Sequence, residues 1–262
     1  MHPLLASGTR LVVGHRGNSA HAPENTLASF RQAVALGADA LELDVRLTAD
    51  GHVVVHHDAT LDRTTDGTGA VAATPLARIA ALDAGARFSR DGGATLPYRE
   101  RGVRVPTLDA LLTELADTPL LIEVKTPAAS GPTRALIERH GAEARTIVDA
   151  FDSACLDPFR GSRIAVGSSR NDVARLMAMT LAGIRPRAVP YRVICIPERY
   201  GALPLPVARF ARALAPLGVP VHVWTVNDPA DARRLWNAGV GAVISDDPGP
   251  MLAARAETVE RV

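Results

Sequence analysis

Short apolar runs alternate with helix-patterned stretches along nearly all of this chain, and that alternation restricts its fold more than any other feature. RLVVGHR (10–16), ALELDVRL (40–47), HVVVHHD (52–58), PLLIEVK (119–125), TIVDAF (146–151), RIAVG (163–167), RVICI (192–196), VPVHVWTV (219–226) and GAVIS (241–245) read as strands. Helical spacing marks 25–36, 107–116, 171–182, 205–216 and 229–238. In the first of these, Leu27, Phe30, Ala33 and Val34 form one apolar stripe; Pro23 precedes it, Gly37 follows it, and Asn25 is a natural N-cap. Strand–helix alternation means a mainly parallel sheet. Eight or so strands in 262 residues favour a closed (β/α)8 TIM barrel over an open sheet. One domain, 1–262, is therefore expected. The polar stretch 59–106 breaks the rhythm and reads as a small inserted subdomain or lid.

A chain of this length buries enough apolar surface to fold without disulfides or a structural metal. Its two cysteines, Cys155 and Cys195, lack metal-ligand spacing and read as buried free thiols. The net charge of +1 argues against a general nucleic-acid footprint, though not against a local basic pocket. No run approaches the ~18 apolar residues of a membrane span, no amphipathic stretch demands a membrane surface, and MHPLLASGTR has no secretory core. The expectation is a cytoplasmic protein without stable membrane anchoring; the sequence is silent on whether it is a monomer or a homo-oligomer.

In a parallel barrel, reacting groups sit at the C-terminal ends of strands, and the ionisable residues gather there. His15 and Arg16 end the first strand, Glu42 and Asp44 lie in the second, His57 and Asp58 end the third, and Glu123 and Lys125 end PLLIEVK. Trp224 and Asn227 close VHVWTVN, and Asp246 and Asp247 follow GAVIS. Side chains two apart share a face, about 6–7 Å apart along the strand, so Glu42 and Asp44 point the same way, as do Glu123 and Lys125. Like charges facing a low-dielectric interior need a cation. Acidic oxygens suit a hard divalent ion, Mg²⁺ or Ca²⁺, and the alternative is a buried ion pair of Glu123 with Arg16 or Lys125. If Asp50-Gly51 forms a two-residue hairpin, Asp44 faces His57, and His56 points away. Two imidazoles beside cations and a bound metal fit phosphoester cleavage: one accepts the proton of an attacking oxygen, the other protonates a leaving oxygen.

The stretches HRGNSAHAPENT (15–26), GADALELDVRLTADGHVVVHHDATLDRTTDGTG (37–69), VPTLDALL (105–112), IEVK (122–125), VWTVN (223–227) and GVGAVISDDP (239–248) closely resemble the glycerophosphodiester phosphodiesterase family, in order and over nearly the whole chain. The resemblance implies a (β/α)8 barrel that hydrolyses glycerophosphodiesters to glycerol 3-phosphate and an alcohol. It implies one divalent metal on Glu42, Asp44 and Glu123, and acid/base histidines at His15 and His57. It implies phosphate contacts from Arg16 and Lys125, an aromatic near the glycerol at Trp224, and an insertion at 59–106 that helps cover the site. Where the family often has Ser-Phe-Asp, this chain has Ala150-Phe151-Asp152. Capping and loop ordering would explain much of Glu24 and Asn25, with contact to the metal or to its ligands the alternative for Glu24, and Asp246 with Asp247 reads as a capping or loop pair. A lysophospholipase D-type activity is the neighbouring alternative, and a phosphoester-binding protein without turnover is the alternative of another class.

Overall fold

The apolar runs form strands close to where their patterns place them: β1 (Leu11–His15), β2 (Ala40–Leu47), β3 (Val53–Val55), β4 (Leu120–Val124), β5 (Thr146–Asp149), β6 (Ala165–Val166), β7 (Ile194–Pro197), β8 (Arg199–Tyr200), β9 (Leu203–Pro204), β10 (Val221–Trp224) and β11 (Ala242–Ser245). In the computed structural model, which describes residues 2–6 and 8–259, eight of these run parallel in the order β6-β5-β4-β2-β1-β11-β10-β7. They curl into a (β/α)8 barrel. Between the two end strands, the Arg192 N–H donates to the Val166 carbonyl at 2.8 Å. β3 pairs antiparallel with the overhanging end of β2, and β8 and β9 form a small separate hairpin.

Alternation along each strand sorts side chains into an inner and an outer set. Outer residues such as Val12, Leu41, Leu43, Ile122 and Val223 are buried under the helices. Inner residues Val13, Ala40, Leu121, Ile147, Cys195, Ala242 and Ile244 fill the barrel, with Leu4 of the N-terminal turn packed among them. The inner files then change character: two residues on from Val13, Ala40, Leu121 and Ile147 stand His15, Glu42, Glu123 and Asp149. The same alternation that builds the core thus delivers ionisable groups to one rim.

The helices are α1 (Leu27–Leu36), α2 (Leu76–Ile79), α3 (Leu108–Glu114), α4 (Pro127–Arg139), α5 (Arg170–Leu181), α6 (Val207–Leu214), α7 (Pro229–Asn237) and α8 (Pro248–Val259). Thr26, not Asn25, caps α1: its side chain accepts from the Ser29 N–H, and Asn25 stands outside the helix at φ 57°. α4 has no clear apolar stripe because its buried face includes Ser130 and Thr133, and Pro132 lies inside it. β5 and β6 are joined by 3-10 turns at Ser153–Cys155 and Asp157–Phe159 rather than an α-helix. Both cysteines are free and buried. Residues 59–106 carry a small cluster of their own, in which Leu61, Val71, Ile79 and Val105 pack on Val54 of β3.

The β2–β3 hairpin has a different register from the two-residue turn expected. Val45 opposes Val55 and Leu47 opposes Val53, and the Thr48 N–H donates to the His52 carbonyl at 2.9 Å. The loop is thus Ala49-Asp50-Gly51, with Gly51 at φ 82° supplying the left-handed residue that a three-residue hairpin needs.

Candidate active site

The rim residues enclose a cavity of about 140 Å³ lined by His15, Arg16, Glu42, His57, Glu123, Lys125 and Trp224, together with Asp149 and Phe151. Asp44 lies just beneath, fully buried. All eight residues singled out in the sequence therefore meet at the C-terminal end of the barrel.

Seven of them are held by identifiable bonds. β1 ends at His15, and the next residue, Arg16, turns out of the strand at φ 55°. Its N–H donates to the Glu42 carbonyl at 3.0 Å and reaches Glu42 Oε2 at 3.1 Å, tying the two strand ends together. The Arg16 guanidinium lies 3.1 Å from Asp44 Oδ2 and 2.9 Å from Glu24 Oε1. Lys125 Nζ is 2.7 Å from both Asp44 Oδ1 and Glu123 Oε1, so the buried ion pair weighed in the sequence does form. Asn25 donates to Asp44 Oδ2 at 2.8 Å and accepts from the Asp44 N–H at 3.3 Å; it fixes an acid rather than capping a helix.

His57 reaches the cavity although the observed register places Asp44 opposite His56, whose N–H donates to the Asp44 carbonyl at 2.9 Å. The ladder stops at Val55, so the alternation rule no longer governs the next residues. His56 is buried, with Nε2 donating to the Thr60 carbonyl at 3.0 Å. The His57 main chain is held by Arg46, which donates to its carbonyl at 2.8 Å.

Both cavity histidines have the same support. His15 Nδ1 is 2.6 Å from Asp246 Oδ1, and His57 Nδ1 is 2.6 Å from Asp58 Oδ1. An ionised carboxylate can only accept, so each Nδ1 carries a proton, and in the neutral ring Nε2 keeps its lone pair. Against the cost of burial, bonds from His15, Asn227 and Ser19 hold the Asp246 carboxyl down at about 2. Arg63 and His57 depress Asp58. Burial works against charge on His15, but Asp246 and Glu42 outweigh it and its pKa is raised; burial prevails at His57, whose pKa is lowered. Asp246 is therefore a partner of His15, not a capping residue. Asp58 bonds Arg63 at 2.5 Å, and Arg63 grips both oxygens of Glu24 at 2.6 and 2.7 Å. The 59–106 segment thereby joins the charge network of the site.

Glu42, Asp44 and Glu123 each offer an oxygen within 4.8 Å of the others. A cation with oxygens at 2.0–2.6 Å spaces its ligands at up to roughly 4–5 Å, so this set fits one hard divalent ion. The electrostatics agree. Burial and the neighbouring charge of Asp44 push Glu42 up to about 7, while Lys125 and Arg16, against burial, hold Asp44 at about 2. Burial also raises Glu123, so two of the three acids carry charge that the protein's own cations do not fully offset.

A (β/α)8 barrel with paired carboxylate–imidazoles, buried acids and two cations at its C-terminal rim belongs to the class of phosphoester-cleaving barrels. Residues 15–250 match the profile of the glycerophosphoryl diester phosphodiesterase family. The chain belongs to that family and is a phosphoric diester hydrolase. It is 32% identical over 255 residues to a glycerophosphodiester phosphodiesterase of Caldanaerobacter subterraneus, covering 92% of this chain and 96% of that one. The fold matches the glycerophosphoryl diester phosphodiesterase domain of an uncharacterized Mycobacterium tuberculosis protein with a TM-score of 0.83 at 24% identity, covering 95% and 99% of the two chains. An Oleispira antarctica phosphodiesterase, solved with the product sn-glycerol-3-phosphate, matches with a TM-score of 0.76 at 28% identity over 94% and 96%. Among the described residues no helix is long and apolar enough to cross a membrane.

Proposed function

We propose that the chain hydrolyses glycerophosphodiesters to sn-glycerol 3-phosphate and an alcohol, with His15 and His57 as the proton-transfer pair. The observation that carries this reading is the single cavity lined by both carboxylate-backed imidazoles, both cations and Glu42 with Glu123, with buried Asp44 completing the three-acid cluster. Arg16 and Lys125 bind the phosphoryl oxygens and offset charge that grows as the attacking oxygen adds to phosphorus. One imidazole removes the proton from that oxygen through its free Nε2. The other, protonated, delivers a proton to the departing alkoxide as its bond to phosphorus breaks. Glu42, Asp44 and Glu123 would hold a divalent cation of the Mg²⁺ or Ca²⁺ type, which supplies Lewis-acid polarisation of a phosphoryl oxygen. Trp224 packs beside the substrate, and residues 59–106 act as cover, anchored to the site through Arg63.

The test is release of glycerol 3-phosphate from glycerophosphocholine by the purified protein, followed by a coupled dehydrogenase. Activity is expected to vanish with EDTA and return with Mg²⁺ or Ca²⁺. His15→Ala and His57→Ala should each lower kcat by about 10²–10⁴-fold while retaining calorimetric metal binding, whereas Glu42→Ala should lose both. Full turnover in His57→Ala would overturn the assignment.

A further inference from the structure

The underside of the barrel, where the strands begin, carries a charge that the rest of the chain does not share. Residues 158–197 hold seven arginines and one acid, in a chain whose net charge is +1. That acid, Asp172, is spent on the cap of α5, where it accepts from the Ser169 N–H and hydroxyl at 2.9 and 2.6 Å. Arg160 and Arg163 lie on the approach to β6, and Arg185, Arg187 and Arg192 on the approach to β7. The two approaches are neighbours, because β6 and β7 are the end strands that meet through the Arg192 N–H and the Val166 carbonyl.

A cavity of about 500 Å³ opens here, with Arg160, Arg163, Arg192, His2 and Glu143 among its walls. Its lining residues belong to the N-terminal turn, to β6 itself or to the segments leading into β5, β6 and β7, so it stands at the end of the barrel opposite the catalytic rim. Glu143 is its one acid, and Arg163 engages it at 2.7 Å. Arg160 reaches Asp157 at 3.1 Å, and no carboxylate among the described residues pairs with Arg192. Ion pairs between exposed partners are weak and exchange readily for a better acceptor. The excess charge is felt by His2, whose pKa is lowered by burial and, against the Thr146 main chain, by the charge of Arg192. A guanidinium binds phosphate oxygens through paired N–H groups, and one dianion neutralises two such groups where a carboxylate neutralises one. The volume lies in the range of small-molecule sites.

We propose that this cavity is a second anion site, remote from the catalytic one, that takes a phosphate-bearing group. It stands apart from the hydrolytic reading. Two sources share the chemistry: free phosphate or a phosphomonoester, and the head group of an anionic phospholipid. α5 runs from the catalytic rim back to the underside, where Leu181 and Ile184 are 74% and 56% exposed. A bilayer would cover them, and a free phosphate would not.

The experiment has two arms. In the first, calorimetry with inorganic phosphate at constant ionic strength compares the wild type, Lys125→Ala and the double variant Arg163→Ala, Arg192→Ala. A binding event kept in Lys125→Ala and weakened at least tenfold in the double variant is expected, with glycerophosphocholine turnover in the double variant within twofold of wild type. In the second, the proteins are co-sedimented with vesicles of phosphatidylcholine and phosphatidylglycerol in equal parts, against phosphatidylcholine alone. If lipid is the source, each arginine removed should weaken binding about fivefold, the equivalent of ~1 kcal/mol. Leu181→Asp with Ile184→Asp should then weaken it further while leaving phosphate affinity unchanged. Phosphate binding without vesicle binding supports the site and makes the source a free phosphate; vesicle binding that follows both sets of variants supports it and makes the source a lipid. Circular dichroism melts check that the variants fold. Binding of neither probe overturns the site, as does binding that is equal in the wild type and the arginine double variant, or binding to a single-stranded oligonucleotide alone.

Discussion

The two imidazoles owe their chemistry to what lies behind them. With a carboxylate 2.6 Å from each Nδ1, the ring is fixed in one tautomer and one orientation before substrate arrives, so no reorganisation is needed at the moment of proton transfer. Asparagine at 246 keeps the size and a hydrogen bond but permits the wrong tautomer, in which Nε2 bears the proton and cannot accept one. Asp246→Asn is expected to lower kcat by about 10²–10⁴-fold with KM changed less than threefold. Steady-state kinetics beside a circular dichroism melt would check this, and an unchanged kcat at unchanged stability would reduce Asp246 to a loop anchor. Ser19 also donates to Asp246 Oδ1 at 2.9 Å, and Asn227 donates to Oδ2 at 2.9 Å. The carboxylate is thereby held by three partners, and loss of any one of the other two should cost far less than loss of its charge.

The turn between β1 and α1 is where an element's geometry becomes the site's geometry. Gly17 sits at φ 90°, and a Cβ there would fall 2.4 Å from Ser29 Oγ and 2.6 Å from the Ser29 main chain. The Ser29 hydroxyl donates to the Arg16 carbonyl at 2.9 Å, so α1 is pressed onto the very turn that aims Arg16. Gly51 in the hairpin has a similar φ of 82° but open space around it. Gly17→Ala should therefore destabilise by about 3 kcal/mol or more, backbone strain plus overlap, and Gly51→Ala by about 1 kcal/mol, strain alone; urea denaturation of both variants would measure the difference. Equal losses would show that the packing of α1 on the turn is soft. Much of this scale was legible in the sequence. The run 40–47 is the whole of β2, and period-two alternation assigned Glu42, Asp44 and Glu123 to one face because regular strands leave no other choice. What alternation could not reach were the groups supplied by loops. Asp246 meets His15 across 231 residues of chain, and Arg63 comes from the insertion. Asn25 reaches Asp44 only because the chain turns left-handed before α1. The choice of His57 over His56 came from a register that the hairpin does not have, and it is the end of the ladder, not the pairing, that brings His57 inward.

At the scale of the whole molecule, the barrel separates a polar rim from a closed floor, and the floor holds a titratable group of its own. His222 is fully buried in the inner file of β10. Burial, assisted by the nearby His2 and opposed only by the Leu4 main chain, lowers its pKa to about 4. In the unfolded chain the same imidazole titrates near its ordinary value of about 6.5. Between these limits the unfolded state binds the extra proton, so this group's contribution to stability is complete above about pH 6.5 and is lost progressively as pH falls through the folded value. The span corresponds to about 3 kcal/mol. Other groups slope the opposite way: Glu42, pushed up by burial and Asp44, favours the folded state less as pH rises through its range, and buried Asp149 acts in the same sense. The measurable quantity is therefore a difference. Urea denaturation of the wild type and of His222→Leu, at matched metal concentration from pH 7 to pH 4.5, should show the wild type losing roughly 2–3 kcal/mol relative to the variant. Parallel pH profiles would mean that the floor admits water to the imidazole, and the barrel would then be open at both ends rather than at its catalytic rim alone.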